Sequence, residues 1–252
     1  QGKPVAVEKV VALYTSRDRA ISESLLAAAE AVRQAADFDE LLARHALAWH
    51  SQWSRFDMTV DSADDWTMTA LHLHVLHLLQ TMSQNSVHLD VGVPARGWHG
   101  EAYRGHVFWD ELFIFPFLDF QRPELARAML DYRHARIGAA RAAARQSGHR
   151  GAMFPWQSGS DGREETQRIH LNPKSGRWLP DHTRLQRHVN IAIAYNVWQH
   201  FLVTGSIRFL RTVGAELVLE IARYLSGIAT YDAELDRYEI LGIAKAAHEA
   251  DV

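Results

Sequence analysis

Between residues 97 and 117 the chain reads Gly97-Trp-His-Gly-Glu-Ala-Tyr-Arg-Gly-His-Val-Phe-Trp-Asp-Glu-Leu-Phe-Ile-Phe-Pro-Phe117. Glycines crowd its first half, where they punctuate regular structure rather than extend it. Aromatic rings can stack on the apolar face of a sugar ring, and carboxylates accept hydrogen bonds from hydroxyl groups. Because no simple core needs this combination, the segment predicts the wall of a sugar-binding site.

Two long loops surround this wall. Glycine and proline recur from Val87 to Gly105, and a second stretch without sustained periodicity runs from Ser147 to Arg187. Hydrophobic periodicity and capping residues, Ser16 first among them, predict helices elsewhere. The predicted helices span Ser16–Phe38, Asp39–Phe56, Asp64–Met82, Asp110–Asp119, Pro123–Gln146, His188–Thr204 and Ile207–Ile228. Two long loops between apolar helices predict a pocket rim.

The order of elements favours an all-α fold. Helices joined by alternating short and long connections suit a toroid-like (α/α)6 barrel of paired helices, in which the apolar Asp64–Met82 helix is expected to be buried. Fewer helices can be placed than a complete barrel needs. We therefore expect either an open partial toroid or a chain whose remaining helices lie outside the sequence. Strand-like alternation is confined to Val5–Tyr14, which predicts a short strand without a partner sheet.

Composition and charge narrow the classes of protein. The 252 residues are 47% hydrophobic and 23% charged, which suits one large globular domain. The 27 basic and 30 acidic residues give a formal net charge of -3 without a block of like charge, which argues against nucleic acid or an anionic membrane as a partner. No apolar run reaches the roughly 18 residues that span a bilayer, and no signal peptide is evident. We expect a soluble, cytoplasmic protein.

The sequence offers few ligands for a metal ion. Cysteine is absent, so disulfides, thiolate metal sites and a redox-active thiol are excluded. His72, His74 and His77 crowd one predicted helix, but only His74 and His77 share a face, and no carboxylate lies beside them at ligand spacing. We expect no metal site.

The wall segment and its surroundings resemble the catalytic domain of glycoside hydrolase family 65, the trehalose, maltose and kojibiose phosphorylases and the trehalose hydrolases. The corresponding family segment is similar to Gly-Glu-Gly-Tyr-x-Gly-His-Val-Phe-Trp-Asp. The likeness continues in Leu89–Gly97, Phe154–Thr166 and His188–Gln199, and extends over roughly Val5 to Gly242. It implies that residues 1–15 end a preceding β-sandwich or form a linker strand, that 16–60 form linker helices, and that 61–252 form a partial α/α barrel catalytic domain, with further helices outside the sequence.

The resemblance implies an enzyme that cleaves an α-glucosidic disaccharide with inversion. Phosphorolysis to β-glucose 1-phosphate is the first expectation, with inorganic phosphate as co-substrate, no other cofactor, and a homodimer as one form of assembly. Phosphate is already an anion, so it needs a cradle of donors rather than a general base. The alternative is hydrolysis of α,α-trehalose, in which a second carboxylate activates water. The feature that discriminates the two lies beyond Val252.

Two Trp-polar pairs are the candidate sugar contacts. Trp109 and Asp110 combine a stacking ring with an acceptor of two hydroxyl bonds, although Trp109 in a core and Asp110 as a helix cap would explain the same residues. The resemblance places this pair in the subsite that holds the transferred glucose. Trp156 and Gln157 repeat the theme, since the amide both donates and accepts. Many family members have Glu at the position of Gln157, and a structural Trp beside a surface Gln is the alternative.

Two further features near these pairs have competing explanations. Asn190 is a candidate hydroxyl contact because the resemblance places it facing the substrate, and an N-terminal helix cap is the alternative. Ser158-Gly-Ser-Asp-Gly162 is rich in glycine but lacks the Gly-Lys-Ser/Thr that follows a phosphate-binding loop, so we interpret it as a loop that shapes the site.

The catalytic residue itself is unassigned. The general acid of the family is the Glu of a Gly-Pro-Asp-Glu-Tyr-His-Glu run after Tyr-Glu-Ile-x-Gly, whereas Tyr238-Glu-Ile-Leu-Gly242 is followed here by Ile-Ala-Lys-Ala-Ala-His-Glu-Ala-Asp251. His248 or nothing takes the place of the acid, and Glu249 matches the final Glu of the run. Two non-enzymatic hypotheses therefore stay open: a sugar-binding domain that lacks the acid, and a helical interaction module without a saccharide ligand.

Overall fold

The structure is a computed structural model that describes residues 2, 5–61, 64–93 and 105–240. Its helices are α1 Ser24–Arg33, α2 Phe38–Phe56, α3 Asp65–Thr81, α4 Glu111–Gln121, α5 Pro123–Ala135, α6 Ile137–Gln146, α7 His188–Thr204, α8 Ile207–Phe209 and α9 Ala215–Ile228. Its strands are β1 Ile169–Leu171, β2 Trp178–Pro180, β3 Ala229–Asp232 and β4 Arg237–Ile240. Residues 94–104, which include most of the predicted wall before Gly105, lie outside the described residues.

The chain divides into two compact units, residues 1–72 and 73–252, with the division inside α3. In the first unit α2 confirms the helix predicted over Asp39–Phe56. The Asp37 carboxylate caps it by accepting a hydrogen bond from the Glu40 amide at 2.9 Å.

The start predicted for the first helix is wrong. α1 begins at Ser24 rather than after Ser16. The Asp18 carboxylate instead accepts a hydrogen bond from the Thr15 amide at 2.6 Å, and the Asp18 amide donates to the Thr15 carbonyl at 3.1 Å. This local turn uses the groups that a helical cap would need.

The strand predicted over Val5–Tyr14 is not formed, because a strand needs a ladder partner and none of the described residues pairs with this segment. Val5, Val7 and Leu13 are 87%, 90% and 86% exposed. The alternation in the sequence therefore indicates a segment that could pair, without supplying its partner.

Fewer residues of α3 are buried than the sequence predicts. Val75 and Leu79 are buried, one turn apart on one stripe, whereas Trp66 is 79% exposed and Leu73 is 48% exposed. Apolar residues around the whole circumference thus overstate how much of a helix is covered.

The second unit is built on α4 and α7, which pack along each other and are flanked by α5 and α9. Phe115 and Leu118 of α4 and Val189, Ile193 and Val197 of α7 are buried at helical spacing and join one apolar core. The helical class is confirmed, while closure of the helices into an (α/α)6 toroid stays a prediction. None of the helices that the structure describes is both long and apolar enough to cross a membrane.

Two predicted helices are interrupted. The segment predicted over Pro123–Gln146 breaks at Arg136, and the segment over Ile207–Ile228 contains a π-helical turn at Leu210–Gly214. In contrast, α7 has the bounds predicted for it, ending at Gly205 in the left-handed conformation.

Two small antiparallel hairpins were missed by the sequence. β1 pairs with β2 across a turn in which the Asn172 side chain accepts bonds from two backbone amides. β3 pairs with β4 across a similar turn at Asp232. Strands of three or four residues are too short to display alternation, so the turn residues were the only signal.

Candidate sugar-binding site

Three rings from distant parts of the chain meet beside the N-termini of α4 and α7. The Trp109 and Trp156 rings are stacked, with centroids 6.2 Å apart and planes at 26°. His188, the first residue of α7, meets both edge-on, at 5.3 Å from Trp109 and 4.7 Å from Trp156. The structure thus brings the two predicted tryptophans together. His188 was not among the predicted contacts, although its position at the start of a helix beside Asn190 was a usable signal.

In the chain, Asp110 follows Trp109 and immediately precedes the first residue of α4. Its side chain makes no capping hydrogen bond, so the structural alternative for this residue is not realised. Its Oδ2 atom is buried and has no hydrogen-bond partner among the described residues. Burial raises the pKa of the Asp110 carboxyl above its ordinary value. A desolvated carboxylate oxygen without a partner is an acceptor suited to a ligand hydroxyl.

Gln157 is held between the two loops. Its Nε2 lies 2.9 Å from Nδ1 of His106, and the residue is only 9% exposed. The backbone amides of Trp156 and Gln157 both donate to the Glu164 carboxylate, at 2.8 and 3.2 Å. Glu164 therefore stabilises the loop backbone, and Gln157 is buried rather than on the surface.

Asn190 has a structural environment. It is 0% exposed, its Oδ1 accepts a hydrogen bond from the Phe154 amide at 2.9 Å, and its Nδ2 donates to the Arg187 carbonyl at 3.0 Å. These contacts are not those of the helix cap stated as the alternative, because the cap position of α7 is Arg187, whose side chain makes no capping hydrogen bond; instead, Asn190 fixes the loop that carries Trp156 to the start of α7.

A pair of backbone hydrogen bonds joins the segment that carries Trp109 to the loop that carries Trp156. Val107 and Ser158 exchange hydrogen bonds, with N···O distances of 2.8 and 2.9 Å, and Ser158 also bridges to Glu164. Trp109 follows Val107 by two residues, and Trp156 precedes Ser158 by two. The stacking of the tryptophans is therefore set by the same short ladder.

A buried ion pair lies behind the wall. Arg133 of α5 donates to Oε2 of Glu111 at 3.3 Å, and both side chains are almost fully buried, at 2% and 6% exposure. Glu111 Oε1 and the Nε and Nη1 of Arg133 have no partner among the described residues. Burial raises the pKa of Glu111 to about 7, against the opposing effect of Arg133. Sequence reasoning missed this pair, because residues 22 positions apart on two helices share no periodic pattern.

The raised pKa of Glu111 predicts a pH-dependent stability. Between its ordinary value of 4.5 and the folded value of about 7, the folded chain keeps a proton that the unfolded chain has lost. The free energy of unfolding should therefore fall as pH rises through this window, by about 1.4 kcal/mol per unit of pKa difference, and change no further above it. Urea titrations at pH 5, 6, 7 and 8 measure this fall. Glu111→Gln should remove it, and an equal fall in this variant would contradict the assignment.

A separate cavity of about 800 Å³ lies between the α6–Phe154 connection and α9. Its buried carboxylate, Glu220, is paired with Arg141 and Arg223. It contains none of the three rings of the aromatic cluster, so it offers no stacking surface comparable with the Trp109–Trp156 wall.

Some predicted features cannot be located in the structure. The described chain ends at Ile240 in β4, so His248, Glu249 and the expected position of the general acid lie outside it. Among the described residues, no three His, Asp or Glu side chains are grouped closely enough to hold a metal ion.

Comparison with known proteins identifies the family of this chain. Residues 72–245 match the glycosyl hydrolase family 65 central catalytic domain, and residues 1–52 match the N-terminal domain of the same family. A glycosyl hydrolase of Mycobacterium tuberculosis, itself uncharacterised, is 48% identical over 244 residues, which are 96% of this chain and 18% of that protein. The kojibiose phosphorylase of Caldanaerobacter subterraneus is 37% identical over 248 residues, which are 94% of this chain and 31% of the relative.

A solved structure shares the fold. It is a candidate kojibiose phosphorylase from the human microbiome, with a TM-score of 0.68 and 20% identity, and the match covers 88% of this chain and 27% of that one. The chain thus spans less than a third of the length of these relatives. With the catalytic-domain match extending over most of its length, the chain belongs to glycosyl hydrolase family 65.

Proposed function

We propose that the Trp109–Asp110 and Trp156 wall binds the glucosyl unit of an α-glucosidic disaccharide, in an enzyme that cleaves the disaccharide with inversion by phosphorolysis. The observation that carries the proposal is the Asp110 Oδ2 atom, which is buried without a partner among the described residues, in the residue that follows Trp109 of the stacked tryptophan pair. A buried acceptor without a hydrogen bond is unfavourable by about 1–3 kcal/mol, which a bound hydroxyl would offset.

The rest of the wall suits the same ligand. The half-buried Trp109 ring offers apolar surface to the C–H groups of a pyranose, and Trp156, which is 9% exposed and belongs to the apolar core, supports that ring. Burial lowers the pKa of His188 and thereby favours the neutral form of the ring, which suits an uncharged sugar. Gln157, already bonded to His106, supplies an amide in place of a second carboxylate.

Relatives support phosphorolysis over hydrolysis. Proteins at 34 to 38% identity are named as phosphorylases of kojibiose, of trehalose 6-phosphate and of glucosylglycerol. These substrates share an α-glucosyl group and differ in the group attached to it. A shared wall for the glucosyl unit, with the acceptor recognised elsewhere, is the arrangement that accounts for this set.

The reaction is tested by incubating the purified protein with kojibiose, trehalose or maltose, with and without inorganic phosphate, and recording proton and phosphorus NMR spectra. Phosphate-dependent appearance of β-glucose 1-phosphate is the expected result. Formation of free β-glucose in the absence of phosphate would instead indicate hydrolysis. Saturable binding of glucose without turnover would indicate a sugar-binding domain, and neither binding nor turnover would overturn the proposal.

Asp110→Asn should weaken glucose binding strongly. The amide keeps the shape but loses the charge, and hydrogen bonds to charged groups contribute about 1.5–3 kcal/mol. The dissociation constant measured by calorimetry should therefore rise by about ten- to a hundredfold. Asp131→Asn is the matched control, since this exposed carboxylate pairs, among the residues that the structure describes, with Arg127 alone, on the same helix α5. Equal affinity of Asp110→Asn and the control would exclude Asp110 from the site.

A further inference from the structure

Arg136, at the break between α5 and α6, joins two segments that border the wall. Its Nε donates to the Ser160 carbonyl at 2.9 Å, and Nη2 donates to the same carbonyl. Nη1 and Nη2 also reach the Asp90 carboxylate, at 3.2 and 2.8 Å. Its side chain is only 13% exposed, although Asp90 is half exposed. One guanidinium therefore connects the segment before the wall with the loop after Trp156.

Tyr132, one turn earlier on α5, holds the same loop. The Arg136 guanidinium lies 4.0 Å from the centre of the Tyr132 ring. The Tyr132 hydroxyl lies 2.8 Å from Oγ of Ser158 and donates to the Gly159 carbonyl. Tyr132 and Arg136 together fix the backbone of residues 158–160.

The loop is shaped around the Arg136 side chain. Gly162 has φ of +81°, and a Cβ atom there would lie 2.8 Å from Cδ and 2.9 Å from Cγ of Arg136. Glycine therefore permits both the left-handed backbone and the close approach of the loop to the arginine stem.

This grip, by which we mean the contacts of Tyr132 and Arg136 with residues 158–160, is connected to the two tryptophans by short chain segments. Ser158, which contacts Tyr132, exchanges backbone bonds with Val107, two residues before Trp109. Gln157 and Trp156 immediately precede Ser158. A change in the position of residues 158–160 would therefore move the Trp156 ring relative to Trp109.

We propose that Arg136 is a positioning residue that sets the spacing of the two tryptophans and hence the affinity for the glucosyl unit. The effect on sugar binding rests on the proposed function, whereas the effect on the loop does not. The planar guanidinium donates to Ser160 and to Asp90 at once, which a lysine ammonium, with donors diverging from one point, cannot reproduce.

The test compares Arg136→Met, Arg136→Lys and a control, Arg163→Gln. Arg163 lies in the same loop but is 76% exposed, and its ion pairs within the described part of the chain are with Asp161 and Glu165. Hydrogen exchange of the peptide spanning residues 156–166 and calorimetric affinity for glucose are measured for each. Arg136→Met should accelerate exchange of this peptide by at least about tenfold and raise the dissociation constant by a similar factor. Arg136→Lys should recover little of either, and Arg163→Gln should match the unmodified protein.

The outcomes separate the two proposals. If the unmodified protein binds no sugar, the proposed function fails, while exchange still decides whether Arg136 holds the loop. Faster exchange with unchanged affinity would overturn the positioning role, and so would full recovery by lysine. Tyr132→Phe is the second variant should Arg136→Met fail to fold. It keeps the ring beside the guanidinium, removes the contact with Ser158, and should raise both quantities less; no change in either would contradict the grip.

Discussion

Gly151→Ala is expected to lower the free energy of unfolding far more than Gly148→Ala does. Both glycines have positive φ, +84° and +80°, so both variants bear the same strain of about 1–2 kcal/mol for a left-handed residue with a Cβ atom. A Cβ at Gly151, however, would lie 2.3 Å from the Glu220 carbonyl and 2.4 Å from the Tyr224 amide nitrogen. These backbone atoms belong to α9 and cannot rotate away.

The expected loss of unfolding free energy for Gly151→Ala exceeds about 4 kcal/mol, the range in which a single substitution indicates a specific steric cause. Separation of residue 151 from α9 would also break the hydrogen bond from the Ala152 amide to the Glu220 carbonyl, now 2.9 Å. Gly148→Ala has no atom within 4 Å of the added carbon and isolates the conformational part. Equal losses in urea titrations of the two variants would refute the steric account.

Arg133→Met is expected to be the next most damaging change. It would leave the Glu111 carboxylate buried without its cation, and removal of one partner of a buried pair typically costs about 3–5 kcal/mol. The loss should be largest at pH 8, where retaining the Glu111 carboxylate in its ionised form is most unfavourable. Unfolding free energies at pH 5 and pH 8 measure the difference.

The double variant Arg133→Met with Glu111→Leu tests the cause. Replacement of a whole buried pair by apolar side chains is often close to neutral, so the double variant should be more stable than Arg133→Met alone. A double variant whose loss equals the sum of the two single losses would show that the charges do not interact.

The helices that the sequence predicted most closely each have a local signal at one end. α2 has Asp37 as a cap, and α7 ends at Gly205 in the left-handed conformation. The break at Arg136 had only a weak local signal: arginine, isoleucine and alanine are compatible with a continuous helix, and Gly138, two residues further on, lowers helix propensity without fixing where a helix ends. Its structural neighbours, Ser160 and Asp90, are distant in sequence, so the interruption depends on tertiary contacts.

The site residues also divide into those that the sequence predicted and those that it did not. Trp109, Asp110 and Trp156 were predicted because their chemical types and the family resemblance pointed to them. Glu111 and Arg133 were missed because a buried pair between two helices has no linear pattern. Asn190 was selected because the resemblance places it facing the substrate, and its partners in the structure are the backbones of Phe154 and Arg187. Polar type alone does not distinguish a ligand contact from a loop anchor.

The Val107–Ser158 bridge also bears on how the protein folds. It joins residues 51 apart in sequence, and α4, α5 and α6 all lie within the segment that it closes. Closing so long a segment before its helices have packed is entropically unfavourable, so the bridge belongs to late, non-local steps of folding. The two tryptophans can therefore face each other only in a chain that has already completed most of its second unit. A sugar that binds only where these tryptophans have met would bind the native state alone, and it would stabilise that whole unit by RT ln(1 + L/Kd), where L is the concentration of free sugar.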